Sequence, residues 1–215
     1  MSKFEIKYQV GATPIDPNER NQLIPTYISN QTELNILERE NILQATNWIY
    51  RNKKIKEFNI SICLKLHKKM FSEVWMWAGK IRLSDKNIGV PKEQIVPKMK
   101  ALFDDVEYWI KNKTFDLDEA ATRFHHRLVS IHPFPNGNGR HARLMTDLLN
   151  QQNNNIPFSW GQMLLTNEDM IRANSKINKN ELNALQENKV RMEYINSLRL
   201  ADKGNILDLI KFVRS

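Results

Sequence analysis

Residues 132 to 143 read His-Pro-Phe-Pro-Asn-Gly-Asn-Gly-Arg-His-Ala-Arg, and they hold the residue types with the most chemistry in the chain. Gly137 and Gly139 permit backbone turns in which successive N–H groups face one concavity, an anion-binding nest. A helix starting at this point adds its free amides and the positive end of its dipole, and phosphate is the natural guest. Arg140 and Arg143, spaced i, i+3, lie on one face of that helix and offer guanidinium forks to further phosphate oxygens. Two arginines oppose the dipole there, so an anion is expected between them. His132 opens the loop, and an imidazole near neutrality takes a proton from a hydroxyl within hydrogen-bond reach. A lone GxG is usually a turn and a lone His usually structural. Their conjunction in twelve residues points to phosphate-centred transfer.

These positions must be held by the elements around them, and the pattern there is helical. Few Gly and Pro interrupt the 215 residues, 7 and 8 respectively, and apolar positions recur at i, i+3, i+4, i+7. Asn30 and Glu33 form a capping box before a helix over 32–51, with a stripe of Leu34, Leu37, Asn41, Ala45 and Trp48. A second helix carries Ile60, Cys63, Leu64, His67 and Phe71, and a third, with Pro97 in its first turn, carries Met99, Leu102, Phe103, Val106, Trp109 and Ile110. Between them Ile81, Leu83, Ile88 and Val90 alternate around Asp85-Lys86-Asn87 and predict a short hairpin. Asp116 and Glu119 open the helix that Pro133 ends; Ala142, Met145, Leu148 and Leu149 mark the helix after the loop. Thr166 and Asp169 cap a C-terminal helical region, which Gly204 breaks before a short helix at Ile206–Val213. The fold class is mainly α. Residues 1–31, without periodicity, form an irregular arm, and 32–215 one compact domain.

Lys plus Arg number 32 against 24 Asp plus Glu, a net charge of +8, but the basic residues are scattered over helix faces, which weighs against a nucleic-acid binder. One cysteine, Cys63, excludes an internal disulfide. With no signal peptide and no apolar run of about 18 residues, a soluble cytoplasmic protein is expected. Of His125, His126, His132 and His141, the adjacent pair diverges by about 100° on a helix, so only one faces inward and a metal cluster is not expected. The tryptophans Trp75, Trp77, Trp109 and Trp160 read as core rather than as base-stacking platforms.

The loop resembles the signature of the Fic/Doc family, HxFx(D/E)GNGRxxR, at His132, Phe134, Gly137, Asn138, Gly139, Arg140 and Arg143. Leu66-His67 through Phe71, Trp75, Trp77-Ala78-Gly79 and Arg82 are similar to the segment before the family's flap, and Tyr194 to Gly204 to its C-terminal helix. Among its branches the chain looks most like the bacterial group called mobile mystery protein B. The resemblance implies a Fic-type helical bundle with a β-hairpin flap, and protein adenylyltransfer: AMP passes from ATP to a Ser, Thr or Tyr hydroxyl of a target protein, with His132 as general base. It implies Gly137, Asn138 and Gly139 on the α- and β-phosphates, Arg140 on phosphates and loop, Arg143 on the γ-phosphate, and Phe134 as loop anchor. The flap residues Leu83, Ile88 and Val90 are to dock the target by strand addition.

Asn136 departs, standing where the family has the Asp or Glu that binds Mg²⁺. A neutral carbonyl is a poorer magnesium ligand than a carboxylate, so Mg²⁺ or Mn²⁺ relies on the nucleotide's own oxygens. A weakly active or inactive Fic-fold regulator is therefore the alternative. Gly139 is retained where the phosphorylating Doc branch has Lys, which favours AMP transfer. Many Fic proteins are silenced by a helix with (S/T)xxxE(G/N); Glu40-Asn41 matches its end, but Ile36 stands four residues before. An inhibitory helix at 32–51, an ordinary charged turn with Glu38 and Arg39, and control by a separate antitoxin or regulator all stay open.

Overall fold

The computed structural model describes residues 16–51, 55–162 and 179–215, with side chains of the last stretch from residue 188. The chain divides into two compact units, Met1–Asn155 and Ile156–Ser215. The described residues are mainly helical: α1 Pro17–Arg20, α2 Gln31–Arg51, α3 Ile60–Phe71, α4 Ile95–Asn112, α5 Leu117–Ile131, α6 Asn138–Gln152, α7 Lys179–Asp202 and α8 Leu207–Arg214. Residues 1–15 of the expected arm and the Thr166–Asp169 cap lie outside the described residues.

In the first unit α2 packs on α3, α4 on α5 and α5 on α6. The caps explain where these helices start. Asn30 Oδ1 accepts the Glu33 amide at 3.0 Å, while the Glu33 carboxylate returns to Ser29 N at 2.7 Å, one residue earlier than a strict capping box. Asn59 and Asp116 likewise accept the amides of Ile62 and Glu119 at 3.0 and 2.8 Å. The core is built from inward rows such as Leu66, Met70 and Phe71 of α3, Met99, Leu102 and Val106 of α4, and Ala120, Phe124 and Leu128 of α5. Trp75 and Trp77 belong to it, buried and stacked with ring centroids 5.0 Å apart, whereas Trp109 and Trp160 are half-buried against Phe115 and Phe158.

The end of the N-terminal arm is ordered in two steps. Asp16 and Glu19 make a reciprocal capping box on α1, and Leu23 forms an isolated antiparallel bridge with Trp75. Ile24 N donates to Val74 O and Met76 N to Gln22 O, each at 2.9 Å.

The expected hairpin over 80–91 is corrected: the described residues there contain no strand. The loop's polar groups bond elsewhere. Arg82 N donates to Pro133 O at 2.9 Å and Val90 N to Ile131 O at 3.4 Å, while Lys92 N donates to the Asp85 carboxylate at 2.8 Å. The Arg82 guanidinium takes the carbonyls of Ser84 and Val90, so a side chain stands in for the cross-strand partner. A 3-10 turn, Lys92–Gln94, then leads into α4.

In the second unit α7 and α8 pack on each other, Tyr194 and Phe212 lie with centroids 5.6 Å apart, and Ser159 N donates to Val213 O at 2.9 Å. No helix among the described residues is long and apolar enough to cross a membrane.

Candidate active site

Helix α5 ends at His132, whose backbone is left-handed (φ 55, ψ 58) and whose amide still reaches Leu128 O at 3.2 Å. A histidine in this region is strained by the approach of its Cβ to the carbonyl oxygen, so neighbouring bonds must hold it. One of them is Arg82 Nε, which donates to His132 O at 2.7 Å. The residue is 6% exposed. Burial first, then the charge of Arg82 and to a smaller extent that of Lys86, push the imidazole down to about 4 against the opposing bond with the Val129 backbone, so it is neutral at pH 7.

The turn that follows is closed by its own side chains. Asn138 Oδ1 accepts Phe134 N at 2.9 Å and its Nδ2 donates to Phe134 O at 2.8 Å, a two-way brace across the loop. Phe134 is fully buried and stacks on His67, centroids 3.7 Å apart and planes within 10°. His67 is neutral, held far below its ordinary value chiefly by burial. Its Nδ1 accepts Gly79 N at 2.9 Å, which leaves the proton on Nε2 for Asn136 O at 3.1 Å. Two segments of the chain are thus locked to the loop through one imidazole, a role that sequence reading missed because His67 looked like one more member of an apolar stripe.

Gly137 is the N-cap of α6 with φ 78, and a Cβ there would stand 2.5 Å from the Phe71 ring. Only glycine meets both conditions. The first-turn amides of α6, which starts from this cap, have no intrahelical acceptors. Arg140 extends over the Phe71 ring, 5.1 Å from its centroid, and Arg143 is half-buried and interacts with His125. The structure thus brings His132, Gly137, Gly139, Arg140 and Arg143 to one loop and one helix end, and gives the Asn138 side chain a bracing position within it.

Asn136 uses its carboxamide inside the loop: Oδ1 accepts Gly137 N at 2.7 Å and lies 3.4 Å from Arg140 Nη2. No cluster of three or more His, Cys, Asp or Glu able to hold a metal occurs among the described residues. Among the described residues the loop does not fit a resident Mg²⁺ centre, because the Asn136 side-chain oxygen is neutral and already engaged. His125 faces inward and His126 does not, and burial pushes His125 and His141 down to about 3.

The acid that reaches the site from α2 is Glu38, not Glu40. Glu40 is exposed, away from any ion pair with Arg143, and Asn41 is buried in a bridge between α2 and α3, donating to Lys69 O at 2.9 Å and accepting Glu73 N at 3.1 Å. Glu38 is buried, accepts Trp75 Nε1–H at 2.7 Å through Oε1 and receives Arg140 Nη1 at 2.7 Å on Oε2. The signal for it was present: Leu34, Glu38, Asn41 and Ala45 form the inward row of α2, so a carboxylate on that row needed a partner. Leu83 and Ile88 of the loop are exposed and Val90 is half-buried.

Comparison with known proteins agrees with this geometry. Residues 57–149 match the model of the Fic/DOC family. Over 115 residues, 50% of this chain and 22% of the relative, the chain is 30% identical to "Protein adenylyltransferase fic-1" of Caenorhabditis elegans. A Caenorhabditis briggsae protein of the same name matches to the same extent, so the match spans about a fifth of the length of these curated relatives. Among solved structures, the BepC protein of Bartonella tribocorum with bound AMPPNP superposes with a TM-score of 0.63 at 16% identity, covering 93% of this chain and 97% of that one. C. elegans Fic-1 (residues 134–508) gives 0.61 at 22% identity over 90% of this chain and 51% of that chain. The Fic domain of a Bartonella quintana protein with bound ADP gives 0.59 at 18% identity, over 91% and 94%. Residues 57–149 thus resemble the Fic/DOC family, and the chain that carries them has a mainly helical Fic-type fold.

Proposed function

We propose that the protein transfers AMP from ATP to a hydroxyl side chain of a target protein. The observation that carries this reading is the juxtaposition of a buried, neutral His132 with the N-terminus of α6 and its two arginines. His132 accepts the proton of a Ser, Thr or Tyr hydroxyl; the oxygen attacks the α-phosphorus, the new O–P bond forms, the bond to the β-phosphate oxygen breaks, and pyrophosphate leaves. The α6 amides with Gly137 and Gly139 receive the α- and β-phosphates, Arg140 and Arg143 the outer ones. Phe134 anchors the loop. Leu83, 87% exposed, and Ile88, 46% exposed, offer apolar contacts to an incoming target segment on the same loop as Val90. Mg²⁺ or Mn²⁺ enters with the nucleotide. The names of the relatives and the nucleotides in the neighbouring structures support the class of substrate.

The test is incubation with α-labelled ATP, divalent metal and a lysate. Label on protein in the wild type and none in His132→Ala is the expected result; label unchanged in His132→Ala overturns the assignment of the base. Two observations favour a second reading, a nucleotide-binding regulator without turnover: Asn136 offers no carboxylate and Glu38 already occupies Arg140. That reading requires ATP binding with no label passed by the wild type.

A further inference from the structure

The geometry points to Arg82 as a positioning residue for His132: its guanidinium clamps the 80–91 loop onto the left-handed corner at the end of α5 and so fixes where the imidazole stands. This rests on His132 being the base proposed above.

The Arg82 side chain is fully buried, which is costly for a guanidinium unless several acceptors surround it. Here they do, and they come from three separate places. Nε donates to His132 O at 2.7 Å, Nη1 to Ser84 O at 2.8 Å and Nη2 to Val90 O, while the Arg82 backbone N–H takes Pro133 O at 2.9 Å. Val90 N adds a bond to Ile131 O at 3.4 Å. Both ends of the loop are thereby tied to residues 131–133, and the rigid fork is what spans them; a lysine ammonium has one centre and cannot.

Gly89 brings the loop backbone against the histidine itself. A Cβ at Gly89 would lie 2.6 Å from His132 Cβ and 3.1 Å from Arg82 Nη2. From the other side Lys86 Nζ sits 2.5 Å from Glu19 Oε2, and Ser84 Oγ donates to Glu19 Oε1 at 3.4 Å, so α1, which precedes the family segment, pins the loop as well.

The same arrangement bears on proton affinity. The cations acting on His132 are Arg82 and Lys86, both from this loop, with Asp85 and Glu19 as their counter-ions; α5 contributes the Val129 backbone bond. On α5 and α6, His125 and Arg143 act on each other. Loss of the Arg82 charge therefore makes His132 more basic, and loss of the fork alone lets the corner move.

The experiment uses the full chain as Arg82→Lys, Arg82→Gln and Gly89→Ala, following the His132 imidazole by NMR across pH and label transfer from ATP. Arg82→Lys keeps the charge and is expected to lower kcat about tenfold or more, with KM for ATP within about twofold, since misplacement of a reacting group costs rate rather than nucleotide binding. Arg82→Gln is expected in addition to move the His132 midpoint upward. Gly89 is exposed, so Gly89→Ala tests the contact if the arginine variants do not fold; it is expected to lower kcat and shift the His132 resonances. Folded Arg82→Lys or Gly89→Ala with wild-type kcat and unmoved His132 resonances overturns the proposal. If the wild type passes no label, the AMP-transfer reading fails, and the NMR midpoint and resonance shifts alone decide for or against the clamp.

Discussion

Glu38 of α2 and Arg140 of α6, 102 positions apart in the chain, form an ion pair with Nη1 and Oε2 at 2.7 Å. The Glu38 side chain is 9% exposed and that of Arg140 40%, so the acid is the fixed member and the arginine the one with freedom to leave. On the proposed role of Arg140 as a phosphate ligand, Glu38 competes with the nucleotide for it. Glu38→Gln should tighten ATP binding several-fold and lower stability by about 1–3 kcal/mol, the cost of disturbing a buried hydrogen-bonded acid. Glu40→Gly should leave ATP affinity alone, because Glu40 is exposed on another face of the helix. Titration calorimetry on both variants checks this; equal affinity in Glu38→Gln and wild type removes Glu38 from any control of the site.

The mouth of the loop should bind anions before any chemistry takes place. Gly137→Ala places a Cβ on the Phe71 ring and demands a left-handed alanine, so the nest should deform. Thermal shift with sulfate, phosphate and ATP is the measurement. Stabilisation by all three in the wild type and by none in Gly137→Ala is expected; an unchanged response in the variant places the anion elsewhere.

Much of this site is legible in residues 132–143, because the glycines, the arginines and Pro133 each impose local backbone or charge constraints that need no knowledge of the fold. Helix α5 was readable from Asp116 and Glu119 for the same reason. What was not readable depends on distant partners. Glu40 attracts attention through Asn41 beside it, yet the turn of α2 buries Glu38 instead. The alternation of Ile81, Leu83, Ile88 and Val90 suggested a hairpin, but Leu83 and Ile88 stay exposed, and the buried residue of the segment is Arg82, whose bonds to the loop carbonyls replace a ladder. His67 could be located on its helix, but not its two bonds to Gly79 and Asn136.

On the proposed AMP transfer, the pH profile should carry a signature of His132 as the base. His132 is pushed down to about 4, so it is unprotonated and competent above that value and lost only as pH falls through it. The acid limb of kcat/KM should lie near 4 rather than near the ordinary histidine value of about 6.5. A limb near 6.5 would mean that His132 is solvated in solution or is not the titrating base.

Stability should follow pH through the other buried histidines. His67 lies well below its ordinary value, and His125 and His141 at about 3, in each case first because burial disfavours the imidazolium. The unfolded chain takes up these protons below about 6.5 while the native state does not, so unfolding is favoured as pH drops from there toward 3. Urea midpoints should decline from pH 7 to pH 5 with little change in slope. A midpoint independent of pH over this interval would show that these rings titrate alike in both states.

Asn136 poses the remaining question, whether the loop tolerates and uses an acid where the family motif has one. Its Oδ1 now accepts Gly137 N at 2.7 Å and lies 3.4 Å from Arg140 Nη2, and both contacts suit a carboxylate as well as an amide. Asn136→Asp should thus fold normally, and its charge should have two uses that experiment can separate. A carboxylate that stays on Arg140 weakens phosphate binding without any metal dependence. A carboxylate that turns to a nucleotide-bound Mg²⁺ raises transfer and lowers the magnesium concentration at half-maximal rate. The second outcome is expected, since a divalent ion outweighs a half-exposed guanidinium as a partner for a hard oxygen, and the gain should vanish in the Asn136→Asp, His132→Ala double variant. Label transfer across a magnesium titration decides it: the same rate and metal dependence in wild type and Asn136→Asp would place residue 136 outside the metal's reach.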